Sequence, residues 1–375
     1  MMTCDYNQLP HEGIQTLAPY IPGKSIEEVT NELGITNIIK LASNENPRGC
    51  SPRVRDALAA LSTLQIATYP IPSAHPLPMK LARHLMINDN MLTLGHGSDA
   101  LFQLLIMCFA LHRDKHILTH DYAFQTYSIL AKIFGIPLIT TPLLTNWHVD
   151  IDALINACNE KTALIFLANP NNPTGTVINH ADILRLLQAI PQTTILVLDE
   201  AYHEFLNPND SPNTIDLITP FPNLVITRTF SKGYGLAGLR LGYAISHPDI
   251  RALLQKIALP FTISQTALTA GVAALEDEQF VLESAELNRT ELIRVRQVLV
   301  QRGYNCLPSF ANFITFDCKM DGTIIYNALL TQGIIVRPLH AYGLNNYLRV
   351  TIGTHTQNTR FLDTLLRIIT TEGML

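Results

Sequence analysis

Short apolar runs without polar alternation recur at Lys115–Thr119, Thr162–Leu167, Thr194–Leu198 and Leu224–Thr227. Runs of this kind predict strands buried on both faces. Asp99–Leu111, Tyr127–Phe134, Ile151–Ala157 and His180–Ala189 instead carry apolar residues at helical spacing. Strands alternating with helices predict an α/β fold, a mostly parallel sheet flanked by helices. Leu241–Ser246 reads as a further strand. It follows its predecessor without room for a helix, which predicts an antiparallel neighbour.

After Leu259-Pro260 the pattern changes. Helical stretches around Thr266–Leu275 and Gln279–Gln301 lead into short strands near Phe313–Phe316, Ile334–Pro338 and Tyr347–Thr351. This predicts a smaller α+β domain. The expected division is an N-terminal arm over 1–40, a large domain over 41–262 and a small C-terminal domain over 263–375. Pro10, Pro19, Pro22 and Gly23 make the arm look extended.

Composition narrows the function. The chain has 375 residues, enough for two domains, and at 47% apolar it is not disordered. Its 26 basic and 31 acidic residues form no basic block, so no footprint for nucleic acid is expected. The longest nearly apolar run, Ala100 to Leu111, is too short to span a bilayer. The opening MMTCDYNQLP lacks a signal-peptide pattern, and six scattered cysteines without a CxxC pair fit reduced thiols. The expectation is a cytoplasmic protein without membrane or nucleic-acid partners.

In open α/β sheets ligands bind beyond the carboxyl ends of the strands. Strand 194–198 ends in Asp199-Glu200-Ala201-Tyr202, strand 162–167 in Asn169–Gly175, and strand 224–227 runs on to Thr229-Phe230-Ser231-Lys232 and Arg240. An acid, an amide, a phenol, a lysine and an arginine thus meet at one edge. Gly233-x-Gly235-x-x-Gly238 matches a dinucleotide fingerprint, but a strand follows it where that motif needs a helix and a distant acid. Gly95–Ala100 before an apolar helix, with Ser98 or Asp99 as N-cap, predicts free backbone N–H groups suited to phosphate. Ser231 and Arg240 would complete the cup. Such a cup beside a lysine and an acid is what pyridoxal 5'-phosphate requires. His112-x-x-x-His116 has helical metal spacing, but a strand begins near Lys115, so no metal is expected.

These motifs, in this order, together with Leu348–Thr354, resemble the fold-type I aminotransferases. Pro19–Lys24, Leu41–Pro47, Tyr69-Pro70 and Gly95–Asp99 are most similar to the histidinol-phosphate aminotransferases within that group. The resemblance covers nearly the whole chain. It implies that Lys232 is the Schiff-base lysine, that Asp199 pairs the pyridine nitrogen, and that Asn172 and Tyr202 bind the phenolate oxygen. Ser98, Asp99, Ser231 and Arg240 would hold the cofactor phosphate, and Tyr122 would stack on the ring. Tyr69 would reach the cofactor of a second subunit, making a homodimer with shared sites. Arg349 would bind the carboxylate of glutamate, with Tyr20, Asn44 and Arg337 as further substrate residues. The implied reaction exchanges L-histidinol phosphate and 2-oxoglutarate for imidazole acetol phosphate and glutamate. Ala100, His96 and Ile71 depart from the group's usual Glu, Asn and Asp. Aromatic amino-acid aminotransferases and threonine-phosphate decarboxylases share most of the motifs and stand as alternatives. Regulators that use this domain without catalysis carry a basic helix-turn-helix ahead of it, for which no segment is visible here.

Overall fold

The computed structural model describes residues 4–19, 23–207 and 213–371. The centre is a seven-stranded sheet of β2 (Leu92–Gly95), β3 (His116–His120), β4 (Leu138–Thr141), β5 (Thr162–Ala168), β6 (Ile195–Asp199), β7 (Leu224–Thr229) and β8 (Gly242–Ser246), in the order β2-β8-β7-β6-β5-β3-β4. Pairs from β7 through β4 are parallel, and β8 alone runs against both neighbours. Every residue of β5, β6 and β7 is buried, as their unbroken apolar runs require. β2 and β4 are additions to the expected strands. Both are four-residue edge strands, and β4 (LITT) is half exposed and lacks an apolar run to reveal it.

Helices cover both faces. Gly97–Phe109 and Gln125–Phe134 pack one face around Phe102, Tyr127 and Phe166. His180–Ala189 and Gln265–Leu275 pack the other, around Leu167, Leu198, Leu224 and Leu268. The helix Gln265–Leu275, beyond residue 262, is therefore part of the core under the large sheet.

A second sheet, in the order β12-β13-β10-β9, joins β12 (Arg337–Leu339), β13 (Leu344–Thr351), β10 (Phe313–Asp317) and β9 (Asn305–Cys306), all antiparallel. Its core lies against the helices Glu278–Gln301, Gly322–Leu330 and His355–Thr371. The last helix is absent from the sequence reading. The first forty residues are not wholly extended. Ile26–Leu33 is a helix with a Ser25/Glu28 capping box, and β1 (Ile39–Lys40) pairs in parallel with β11 (Ile334–Ile335). Val29 and Ala42 pack with Leu330 and Ile335, so this segment is tied to the C-terminal unit. Among the described residues no helix is long and apolar enough to cross a membrane.

Candidate active site

The parallel strands deliver side chains to one end of the sheet, where a cavity of about 440 Å³ opens. Ser98, Asp99, Asn172, Asp199, Tyr202, Ser231, Lys232 and Arg240 line it, and so do Asn44, Arg337 and Arg349 from segments packed across it. Eleven of the residues singled out from sequence thus share one chamber.

Asp199 and Glu200 illustrate how the strand sorts two adjacent acids. Successive side chains point to opposite faces. Asp199 enters the chamber, whereas Glu200 turns away into a buried ion pair with Arg228, 2.7 Å distant, and accepts from Thr214 Oγ1. Asp199 is buried and accepts from Tyr127 Oη at 2.8 Å and Thr227 Oγ1 at 3.3 Å. Burial pushes its carboxyl up to about 7, against the pull of those donors. Tyr202 is held through Asn44 Nδ2, which donates to its hydroxyl at 2.8 Å. Desolvation raises that phenol to about 12.

Lys232 donates to the carbonyl of Ser43 at 3.0 Å. Desolvation, reinforced by the nearby Arg349 and Arg240, lowers its amine to about 8. Arg349, on β13, is buried. It donates to Asn172 Oδ1 at 2.5 Å and to the Ala42 carbonyl at 2.7 Å, and its guanidinium lies over Phe313. The Asn169–Gly175 loop is held by its own amides: Asn169 bridges both backbone groups of Ile178, and Asn171 donates to Thr174.

The helix Gly97–Phe109 begins two residues earlier than its sequence suggests. His96 occupies the N-cap without a side-chain bond, so Ser98 and Asp99 belong to the first turn. Their backbone N–H groups lie among those that no intrahelical carbonyl satisfies. Gly97 has φ +74°, and a Cβ there would stand 2.5 Å from Arg240 Nη2, so glycine lets the guanidinium lie against the helix end. Arg240 also donates to Asp99 Oδ2 at 3.1 Å and reaches Ser231 Oγ at 3.5 Å.

Three expectations fare differently. Tyr122 does not line the chamber; its ring packs near Trp147, 5.6 Å between centroids, and Phe124 lines the chamber two residues later. A tight turn with positive φ at Tyr122 sends its side chain away. Tyr69 is 79% exposed and stacks on Phe261, outside the chamber. Tyr20 lies outside the described residues. Sequence reasoning also missed Tyr127, although a hydroxyl on the buried face of a helix needs a partner. The GxGxxG segment forms a 3-10 turn, Ala237–Leu239, leading into β8.

The profile of the class I and II aminotransferases matches residues 36–365. The chain belongs to the class I and II aminotransferases. It is 53% identical over 364 residues to histidinol-phosphate aminotransferase 2 of Legionella pneumophila (strain Lens), covering 97% of this chain and 99% of that one. It is 41% identical to histidinol-phosphate aminotransferase 1 of Mannheimia succiniciproducens, covering 96% and 98%. Among solved structures, histidinol-phosphate aminotransferase from Sinorhizobium meliloti in complex with pyridoxal-5'-phosphate superposes with a TM-score of 0.87, 28% identity and 97% and 98% coverage. The fold and the aminotransferase resemblance read from the motifs are thereby established. The donor set of this aminotransferase also fits pyridoxal 5'-phosphate. A buried acid, a lysine of lowered basicity, a phenol and a guanidinium at an uncapped helix start face one chamber.

Proposed function

We propose that this aminotransferase exchanges the amino group of L-histidinol phosphate with 2-oxoglutarate, using pyridoxal 5'-phosphate. The observation that carries the reading is the convergence of Lys232, Asp199 and the Arg337–Arg349 pair on one chamber. The near full-length relatives named for this reaction support it.

Asp199 would pair the cofactor's ring nitrogen, and Asn172 and Tyr202 its phenolate oxygen. Ser98 and Asp99, through their N–H groups, would hold its phosphate with Ser231 and Arg240. When bound, the cofactor supplies a covalent attachment for the amine and a ring that accepts electrons from the substrate carbon. The chain's own residues do the rest. Lys232 Nζ, with its affinity for protons lowered to about 8, takes the proton from the donor's Cα and returns it on the opposite transfer. Burial disfavours the charge on Asp199, so a protonated ring nitrogen beside it would be held as its cationic partner. Asn44 orients Tyr202, and Tyr127 orients Asp199.

Arg349 would bind the α-carboxylate of glutamate. L-Histidinol phosphate has no carboxylate, so its phosphate would take the same region, with Arg337 and Arg349 serving both partners in turn. Tyr20 and Asn44 would add substrate contacts. Tyr69, exposed beside Phe261, would serve the cofactor phosphate of a second copy, making a homodimer with shared sites. A biosynthetic role in the cytoplasm accords with six free cysteines.

Steady-state comparison of donors tests the assignment. The expected result is a kcat/KM for L-histidinol phosphate at least ~100-fold above that for phenylalanine, tyrosine or threonine phosphate. A preference for phenylalanine or tyrosine would make the enzyme an aromatic transaminase. Carbon dioxide release from threonine phosphate would make it a decarboxylase.

A further inference from the structure

A second cavity, of about 480 Å³, adjoins the first and shares Gly23, Gln125, Ile129 and Arg337 with it. One wall is a single face of the helix Gln125–Phe134. Gln125, Ser128, Ile129 and Lys132 follow at positions i, i+3, i+4 and i+7, the spacing that aligns side chains along one stripe. Lys24, Lys132, Arg337 and His340 line this cavity, and among the described residues no aspartate or glutamate does. Glu32 pairs with Lys24 and offsets that charge. Lys132 makes no ion pair among the described residues and is exposed, at the end of the stripe farthest from Gln125. Arg337 stands on the boundary, lining both cavities.

We propose that this second cavity is an entry vestibule for dianionic substrates, in which Lys132 captures a phosphomonoester or dicarboxylate and passes it to Arg337 at the chamber's edge. A concave site lined by one sign of charge raises the local concentration of its counter-ion and the association rate, and the effect falls with salt. Both substrates of the proposed reaction carry two negative charges on one end or across a short chain, so one vestibule serves both. The inference rests on the proposed reaction; its donor and its acceptor test it separately.

The experiment compares wild type with Lys132→Glu and Lys132→Gln as cofactor-loaded enzymes, at ionic strengths of ~20 mM and ~500 mM. Lys256→Glu makes the same charge change at an exposed site lining neither cavity and controls for net charge. Amino acceptors are 2-oxoglutarate and the monoanion pyruvate; donors are L-histidinol phosphate and L-histidinol. At low salt Lys132→Glu lowers kcat/KM for the two dianions ~5- to 20-fold and for pyruvate and L-histidinol less than ~2-fold, with kcat retained. Lys132→Gln gives a smaller loss of the same pattern, and high salt closes the gap. Equal losses for all four substrates, a loss that persists at high salt, or an equal loss in Lys256→Glu would overturn the vestibule. Wild type that ignores L-histidinol phosphate would overturn the donor assignment, while the 2-oxoglutarate and pyruvate pair still decides the role of Lys132.

Discussion

Asp199 makes the cofactor-free protein's stability depend on pH in a direction unusual for an aspartate. Its carboxyl rises from 3.8 to about 7 because burial disfavours the charge more than Tyr127 and Thr227 favour it. A group whose folded pKa is raised binds a proton more tightly in the native state. Its contribution is fully present below the unfolded value near 4 and is lost as pH rises through about 7. Three pH units at ~1.4 kcal/mol each give about 4 kcal/mol in all, of which about 3 kcal/mol is lost between pH 5 and 8. Glu204, half-buried and also raised to about 7, adds a slope of the same sign, so the comparison must be between variants. Asp199→Asn keeps the shape and removes the titration. Urea unfolding of the cofactor-free protein at fixed protein concentration, at pH 5 and pH 8, should show a wild-type loss exceeding that of the variant by about 3 kcal/mol. Tyr127→Phe removes a donor that lowers the pKa and should move the wild-type decline to higher pH. Equal pH dependence in wild type and Asp199→Asn would refute the elevated carboxyl, and with it the need for a cationic ring nitrogen beside it.

Lys232→Ala should abolish multiple turnover, by at least ~10³-fold in kcat, measured by glutamate release, because it removes both the covalent attachment and the proton carrier. Arg349→Ala should raise KM for glutamate by ~10²-fold and also free Asn172 Oδ1, which accepts from it, so cofactor affinity measured by absorbance should fall with it. In Gly235→Ala the new Cβ would stand 1.8 Å from the carbonyl oxygen of Gly49 on a backbone with φ +70°. That variant should lose at least about 2 kcal/mol in chemical unfolding.

Much of the site was legible because buried strands ending in polar groups are chemically conspicuous. Asp199, Lys232 and Asn172 each follow an unbroken apolar run, and the antiparallel β8 followed from the lack of room for a helix. Less was legible where the signal was geometric. Tyr122 and Phe124 are two aromatics two residues apart, and only the turn between them decides which one faces the chamber. Tyr127 lay within a predicted helix, but its bond to Asp199 spans 72 residues. The edge strands β2 and β4 are too short to show a period. Ser25-x-x-Glu28 is a helix-start signature present in the sequence, yet the prolines and glycine before it suggested extension. The β1–β11 pairing is a non-local contact that no periodicity announces.

Lys232 is proposed to carry the cofactor in a chamber that takes a phosphorylated amine. The most direct measurement is an absorbance titration of the cofactor-loaded protein, following its visible band as L-histidinol phosphate, phenylalanine, tyrosine or threonine phosphate is added without an acceptor. The band should be lost at low L-histidinol phosphate and only at high concentrations of the others, with no such band in Lys232→Ala. A band lost first to phenylalanine or tyrosine would contradict the substrate, and a Lys232→Ala protein that keeps the wild-type band would contradict the site.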